Sequence, residues 1–389
     1  MSLGERVPNL RFPGFEGEWI PTLLKSILHE RKTYAEKDGS YPHATLSKEG
    51  IYGKTDRYDR DFLVSTENKE YKITLKNDLC YNPANLKFGV ICLNTFGSAI
   101  FSPIYVTFEI DKSYSPQFVG AALTQKDFIG YALRFQQGTV YERMAVSPED
   151  FLSISRRFPA IAEQEKIAEF MSLLNSRIAA QRKLVELLKK HKRGLLDRIF
   201  ERSKQTEKWK KYRLDQIAEI NPSSESLPCE FFYIDLESVS DGVWHDKKVV
   251  KKESAPSRAQ RVIQKNDILF QMVRPYQQNN LHITTSYDKP IVASTGYAQI
   301  RTSQNPSFIY WLLHSRTFLR KVLLRCTGSS YPAINSSDLK EIYVSIPPLE
   351  DQNQYARALD SILQKCNIEE SLVCHLENLK SGLLQQMFV

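Results

Sequence analysis

The 389-residue chain carries 53 Lys and Arg against 45 Asp and Glu, a net charge of +8, with 42% hydrophobic and 25% charged residues. That length and balance suit a folded chain of about two domains and exclude a fibrous or disordered one, while the basic excess favours a polyanionic partner. No run of 18 apolar residues occurs, the opening residues are polar, and the six cysteines include no Cys-x-x-Cys pair. The expectations are therefore a cytoplasmic chain with no membrane span, no disulfide framework and no metal site.

In chain order, a Trp-containing segment (Glu18-Trp19-Ile20-Pro21 to Leu28) precedes a mixed stretch of short strands such as Tyr71–Leu75 and Tyr105–Ile110. A helical pattern follows around Phe118–Leu133, then a proline break at Phe158-Pro159 and a long helix from Ile161 to Phe200. The series then starts again: Trp209, strands such as Ile291–Ser294, a helical pattern at Phe308–Leu324, a break at Ile346-Pro347-Pro348 and a second long helix. Pro116-Gln117-Phe118-Val119 recurs as Pro306-Ser307-Phe308-Ile309, and Gly138-Thr139-Val140-Tyr141 as Gly328-Ser329-Ser330-Tyr331, both 190 residues on. Lys76-Asn77-Asp78-Leu79 recurs as Lys265-Asn266-Asp267-Ile268, and Glu163-Gln164 as Asp351-Gln352. A period this long means duplication of a whole domain. The boundaries drawn are 1–158 and 204–347 for two globular domains, with long helices at 159–203 and 348–389.

Both helices carry one apolar stripe. In the first it holds Ile167, Met171, Leu174, Ile178, Val185 and Leu188, and in the second Leu359, Ile362, Val373, Leu376 and Leu383. Polar gaps fall at Gln181 and Lys192, and at the matching Glu369 and Lys380. A seam of alternating steps of three and four predicts a coiled coil, each helix pairing with the other. The competing arrangement packs each helix on its own globular domain. The expected fold is α+β: two mixed α/β domains separated by two long antiparallel helices, with an internal pseudo-two-fold repeat.

The stretches between repeated motifs are nearly unrelated, as two readers of different sequences would need. Candidate DNA-binding residues in the first copy are Lys54, Arg57, Tyr58 and Arg60, then Asn82, Asn85, Lys87 and Tyr141. In the second they are Lys247, Lys248, Arg258, Arg274, Tyr276, Gln277, Gln278, Asn279, Asn280 and Tyr331. Arg matches guanine O6/N7 and Asn or Gln matches adenine N6/N7, while Lys mainly holds phosphates. Lys189-Lys190-His191-Lys192-Arg193 reads instead as the basic face of a helix end.

The layout resembles the specificity subunit of a type I restriction–modification system. The residues that carry the resemblance are Leu10-Arg11-Phe12-Pro13-Gly14-Phe15-Glu16-Gly17-Glu18-Trp19, Gly328-Ser329-Ser330-Tyr331-Pro332-Ala333-Ile334-Asn335 and Ile346-Pro347-Pro348-Leu349-Glu350-Asp351-Gln352. Arg157-Phe158-Pro159 departs from the double proline usual there. The resemblance implies two target-recognition domains, each reading one half of a split double-stranded DNA target, and helices that set the spacer and dock two methylation subunits. It also implies restriction subunits in the full complex. S-adenosylmethionine, ATP and magnesium would be bound by those partners, with no cofactor in this chain. Self-association through the long helices is a further expectation.

An enzyme is the competing class. Asn305-Pro306-Ser307-Phe308 only approaches the Asn-Pro-Pro-Tyr/Phe loop of adenine methyltransferases and reads better as a helix start. Asp235, Asp246 and Lys248 sketch a nuclease pattern, but the first copy has no echo of it. There is no Gly-x-x-x-x-Gly-Lys-Ser/Thr, and the seven histidines are dispersed. No catalytic residue is expected. A paired-helix adaptor that binds no nucleic acid would leave the divergent basic domains unexplained.

Overall fold

The computed structural model describes residues 7–35, 39–54, 70–138, 144–202, 208–223 and 226–389. They form two compact units, Met1–Ala180 with Val373–Val389, and Gln181–Leu372. Each long helix contributes residues to both units.

In the first unit a four-stranded antiparallel sheet runs in the order Leu28–Glu30, Val106–Ile110, Leu79–Tyr81, Ile91–Leu93. A two-stranded ribbon joins Ile20–Leu23 to Ser155–Phe158. The predicted helical stretch is two short helices, Pro116–Leu123 and Lys126–Ala132, broken at Thr124 and Gln125. The second unit repeats the plan. Its matching sheet runs Ala218–Ile220, Tyr297–Thr302, Ile268–Gln271, Leu281–His282, and its ribbon joins Lys210–Arg213 to Tyr343–Ile346. The helices Pro306–Leu313 and Arg316–Leu323 again break, at His314 and Ser315.

The recurring motifs turn out to be the joints of this frame. Asn77 and Asn266 both hold left-handed backbone, φ 71° and 72°, a conformation Asn tolerates better than most side chains. Each is followed by a buried aspartate that accepts a backbone N–H and a two-pronged arginine. Asp78 takes Leu75 N at 2.7 Å and Arg31 at 2.9 and 3.0 Å. Asp267 takes Gln264 N at 2.7 Å and Arg301 at 2.8 and 2.9 Å. Each carboxylate holds its arginine's pKa above the ordinary value.

Gln164 and Gln352 act as clips and are both buried. The Gln164 amide donates to Pro159 O at 2.9 Å and its carbonyl accepts from Ser115 N at 3.1 Å. Gln352 donates to Pro347 O at 2.9 Å and accepts from Asn305 N at 3.2 Å. Ser115 and Asn305 in turn cap the first short helix of their unit, each with Pro at the first turn. One side chain thus fixes the start of a long helix to the start of a short one.

The long helices span Ile161–Asp197 and Leu349–Met387, 37 and 39 residues. In the first unit, Ile167 and Met171 share an apolar cluster with Leu383, Leu384 and Met387, so the start of one helix lies with the end of the other. In the second unit, Leu195, Leu196, Ile199 and Phe200 share a cluster with Ala356 and Leu359. The helices therefore run antiparallel. Gln181 Nε2 donates to Glu369 Oε2, and Lys189 pairs with Glu370 at 2.5 Å, so these contacts lie along the seam. Ile178, Val185 and Cys366 are buried near that point, while Leu174, Leu188, Ile362, Val373 and Leu376 are half-buried. Ile167, Met171, Leu359 and Leu383, expected only in the seam, also pack into the globular cores, which merges the two arrangements weighed from sequence.

Each unit's aromatic core takes in the end of a long helix. Trp19 meets Phe118 and Phe388 edge-on at 5.7 and 6.3 Å, and Trp209 lies 6.1 and 6.2 Å from Phe308 and Phe200.

The remaining strands differ between the copies. The second unit has a four-stranded sheet, Lys248–Lys251, Glu230–Ile234, Ile291–Ser294, Ala259–Ile263, with one parallel pairing. The described part of the first unit has a three-stranded sheet (Tyr34–Ala35, Tyr71–Thr74, Ala99–Phe101) and a hairpin, Ala44–Ser47 with Gly50–Gly53.

Candidate nucleic-acid interface

In both units the frame brings the same two loops together. One follows the strand that begins at the buried aspartate; the other is the stretch of the Gly-x-x-Tyr motif, described in full in the second unit and only at its ends in the first. In the second unit Thr327 and Ala333 exchange backbone hydrogen bonds of 2.9 and 3.0 Å, closing a loop over Gly328 to Pro332. Gly328 has φ 88°, and a Cβ there would come within 3.1 Å of Tyr331 O, so the turn requires glycine. Arg274 N donates to Pro332 O at 2.7 Å and Ile334 N to Met272 O at 3.1 Å, which ties this loop to the segment 272–280. In the first unit Gln137 and Ala145 make the matching pair at 2.9 Å, and Val146 N donates to Pro83 O at 3.3 Å. The two stretches lie far apart along each copy, and the scaffold sheet makes them neighbours.

Of the predicted residues, Arg274 and Tyr331 are directly joined: the guanidinium lies 4.3 Å above the Tyr331 ring. Tyr331 is 62% exposed and Tyr276 50%. In the first unit Lys87 stands 5.1 Å over Phe88, whose ring is 61% exposed. Each loop pair therefore presents a cation against an aromatic face, an arrangement suited to polyanions with stacked bases.

Two predicted residues are corrected. Asn82 is buried, and its carbonyl caps a 3₁₀ turn by accepting from Ala84 N and Asn85 N at 3.1 and 3.2 Å. Asn280 is buried as well, accepting from Gln271 N at 2.8 Å and approaching His314 Nε2 at 3.4 Å. Both were read as surface amides because they stand in polar loops; their hydrogen-bonding capacity is spent on holding those loops in shape. Asn85 is half-buried on the same turn, and Lys54 follows the hairpin, its N–H donating to His43 O at 2.8 Å. Arg57, Tyr58, Arg60 and Tyr141 lie outside the described residues.

Lys247, Lys248 and Arg258 are exposed and belong to the second unit's other sheet and its margins, not to the loop pair. Lys247 sits 4.9 Å from the Tyr287 ring and 5.7 Å from Trp244. Lys248 is paired with Asp246 at 2.7 Å, which raises its pKa. Of the residues in the nuclease pattern, Asp235 accepts from Glu237 N and Ser238 N at 3.1 and 2.8 Å within its own turn, and Asp246 is paired with Lys248. Among the described residues no three His, Cys, Asp or Glu side chains gather as a metal site, and no helix is long and apolar enough to cross a membrane.

Sequence reasoning missed the support beneath segment 272–280. Gln271 Nε2 donates to Gln277 Oε1 at 2.8 Å and Gln271 Oε1 accepts from Asn279 N at 3.1 Å. Gln278 Nε2 donates to His314 O at 3.2 Å, and His314 Nδ1 bonds to Tyr310 O at 2.8 Å. Burial pushes the pKa of His314, and of nearby His282, below the usual range. The signal available was Asn305-Pro306, which starts the helix that ends at His314.

The second repeat matches a protein family: residues 206–378 fit the model of the type I restriction modification DNA specificity domain. Over the longer chain, the resemblance to specificity subunits of type I restriction–modification systems stands. The type I restriction enzyme MjaVIII specificity subunit of Methanocaldococcus jannaschii is 22% identical over 382 residues, covering 90% of this chain and 85% of that one. A putative MjaX specificity subunit from the same organism is 21% identical over 66% of each chain. The fold is similar to the crystal structure of the type I restriction–modification S subunit from M. genitalium, with a TM-score of 0.64, 16% identity, and coverage of 98% of this chain and 99% of that one. A chain from a study of complex assembly and conformational transition in the type I system gives a TM-score of 0.56 at 16% identity, over 95% and 97% of the two chains.

Proposed function

We propose that this chain is the non-catalytic DNA-recognition subunit of a type I restriction–modification complex, each loop pair reading one half of a bipartite double-stranded target. The observation that carries this reading is the twice-built loop pair: equivalent frames, the same closing hydrogen bonds, and different exposed side chains. Common framing with divergent tips is what two half-sites of different sequence demand.

In this reading the long helices set the length of the unread spacer and dock two methylation subunits. Leu173, Leu184, Leu187, Ile368, Leu372 and Leu379 are exposed along them, apolar area that a partner would cover. Those partners would transfer methyl groups from S-adenosylmethionine to target adenines, and restriction subunits would use ATP and magnesium to cut. The complex would work in the cytoplasm. A free chain would hide the same leucines by self-association.

The test is a single-molecule methylome of the source cell with and without this gene. Loss of one split adenine-methylation motif on deletion is the expected result. A methylome with no gene-dependent motif would overturn the reading. Removing one heptad from each helix, about 10 Å of rise, should shorten the spacer by no more than about three base pairs and leave the half-site letters alone.

A further inference from the structure

Segment 272–280 of the second unit is rich in groups that match base edges, yet nearly all of them are spent internally. The Gln277 carbonyl is held by Gln271, the Gln278 amide by His314 O, and Asn280 by Gln271 N. The Asn279 carbonyl accepts from Asp241 N at 3.4 Å. Bidentate adenine recognition needs the carbonyl and amide of one side chain presented together, and each of these bonds ties one of the two groups to the protein itself. Arg274 is the exception. Among the described residues no carboxylate pairs with it, whereas Lys248 and Arg301, elsewhere in the same unit, each have one.

Its geometry is also fixed to a degree that phosphate binding does not require. The backbone at Arg274 is left-handed, φ 53° and ψ 53°, and Gln278 repeats this at φ 53° and ψ 31°. Such strain in a non-glycine residue persists only where the surroundings impose it, and it concentrates at functional positions. Here it is imposed by the 2.7 Å bond from Arg274 N to Pro332 O and by the amide network below. The guanidinium lies on the exposed Tyr331 ring, 4.3 Å from its centre. A guanidinium held over a ring face keeps its in-plane N–H groups available, and that hold lowers the entropy cost of a two-pronged contact. A flexible lysine would serve as well for a phosphate; an oriented fork matches the O6 and N7 of guanine.

We infer that Arg274, backed by Tyr331, is the specificity-determining residue for a guanine in the half-site read by the second unit. This rests on the function proposed above and adds to it the residue and the base. Gln277, Gln278, Asn279 and Asn280 then act as positioning residues for Arg274 rather than as adenine readers.

The experiment is the methylome of strains carrying Arg274→Ala, Arg274→Lys or Tyr331→Phe in the complete system. Melting of each purified full chain accompanies it, to show that the variants fold. The wild-type motif should contain a G·C pair in one half-site at which Arg274→Ala and Arg274→Lys both lower discrimination on the order of ten- to a hundredfold. The other half-site should be untouched, and Tyr331→Phe, which keeps the ring, should retain the motif. A phosphate-holding arginine would behave differently: Lys would restore activity, Ala would weaken all sequences alike, and the salt dependence of binding would fall by about one ion. That result, or a motif unchanged at every position in both variants, overturns the inference and leaves the proposed function standing. A wild-type strain with no gene-dependent motif instead overturns the proposed function, and the inference with it.

Discussion

Each unit contains a four-stranded sheet and a two-stranded ribbon that match their counterparts, and further strands that do not. In the matching sheets the same jobs are done by the same or similar groups: Asp78 with Arg31, Asp267 with Arg301, and a buried glutamine at each helix start. Where those sheets meet the short helices, bulk has moved instead of vanishing. Gly120 lies against Leu93 in the first unit, close enough that a Cβ would sit 2.9 Å from Leu93 Cβ. At the corresponding place in the second unit Tyr310 stacks on His282 with centroids 5.9 Å apart. Among the described residues the other sheets differ in strand count and even in direction of pairing. Selection on a shared scaffold preserves joints, and it leaves free whatever the joints hold outward.

Breaking a joint tests that comparison most strongly. Asp78→Ala and Asp267→Ala should each cost about 3–5 kcal/mol, because each strands a partly buried arginine. Asp267→Ala should be the worse of the two, since Gln299 Nε2 also donates to this carboxylate at 2.7 Å. Urea unfolding followed by hydrogen exchange should find the loss in the unit that holds the mutation; equal loss in both units would contradict independent frames. Next in size, Gln164→Ala and Gln352→Ala should each cost roughly 1–3 kcal/mol by leaving buried backbone groups without partners. Gly120→Ala should cost about 1–3 kcal/mol through overpacking against Leu93, measurable as a lower denaturation midpoint.

The smallest effect is a pH dependence confined to the second unit. Burial lowers the pKa of His282 and His314, so the unfolded chain binds more protons below the usual histidine pKa near 6.5. Stability from this source is full above that value and declines as pH falls from about 6.5 toward the lower folded pKa values. Exchange protection in the second unit should weaken over that window, and His314→Asn should flatten the trend. A pH response of the same size after the substitution would remove His314 as its source.

The sequence made the repeat and the helical stripe legible because both rest on periodic spacing, which survives divergence. It also located the loops that meet at the candidate interface, since glycine and tyrosine recur there. It could not say which polar side chains face outward. Asn82 and Asn280 stand in stretches as polar as their neighbours, and only the placement of Ala84, Asn85, Gln271 and His314 turns them inward. Lys-Asn-Asp was legible as a repeated motif, but not as a turn with a buried carboxylate. Division of each long helix between two units was likewise hidden, because an apolar stripe does not reveal which neighbour covers it.

The bond from Gln181 to Glu369 joins equivalent positions of the two repeats, and this carries information about pairing. In an antiparallel pair, a helix meeting a second copy of itself at this register would set like against like. Two first helices would oppose Gln181 with Gln181, which amides tolerate by donating and accepting in turn. Two second helices would oppose Glu369 with Glu369, two carboxylates in a half-buried seam, which repel unless one takes up a proton. This one difference between equivalent seam positions therefore biases pairing toward the mixed pair of helices, and it does so more strongly for one helix than for the other.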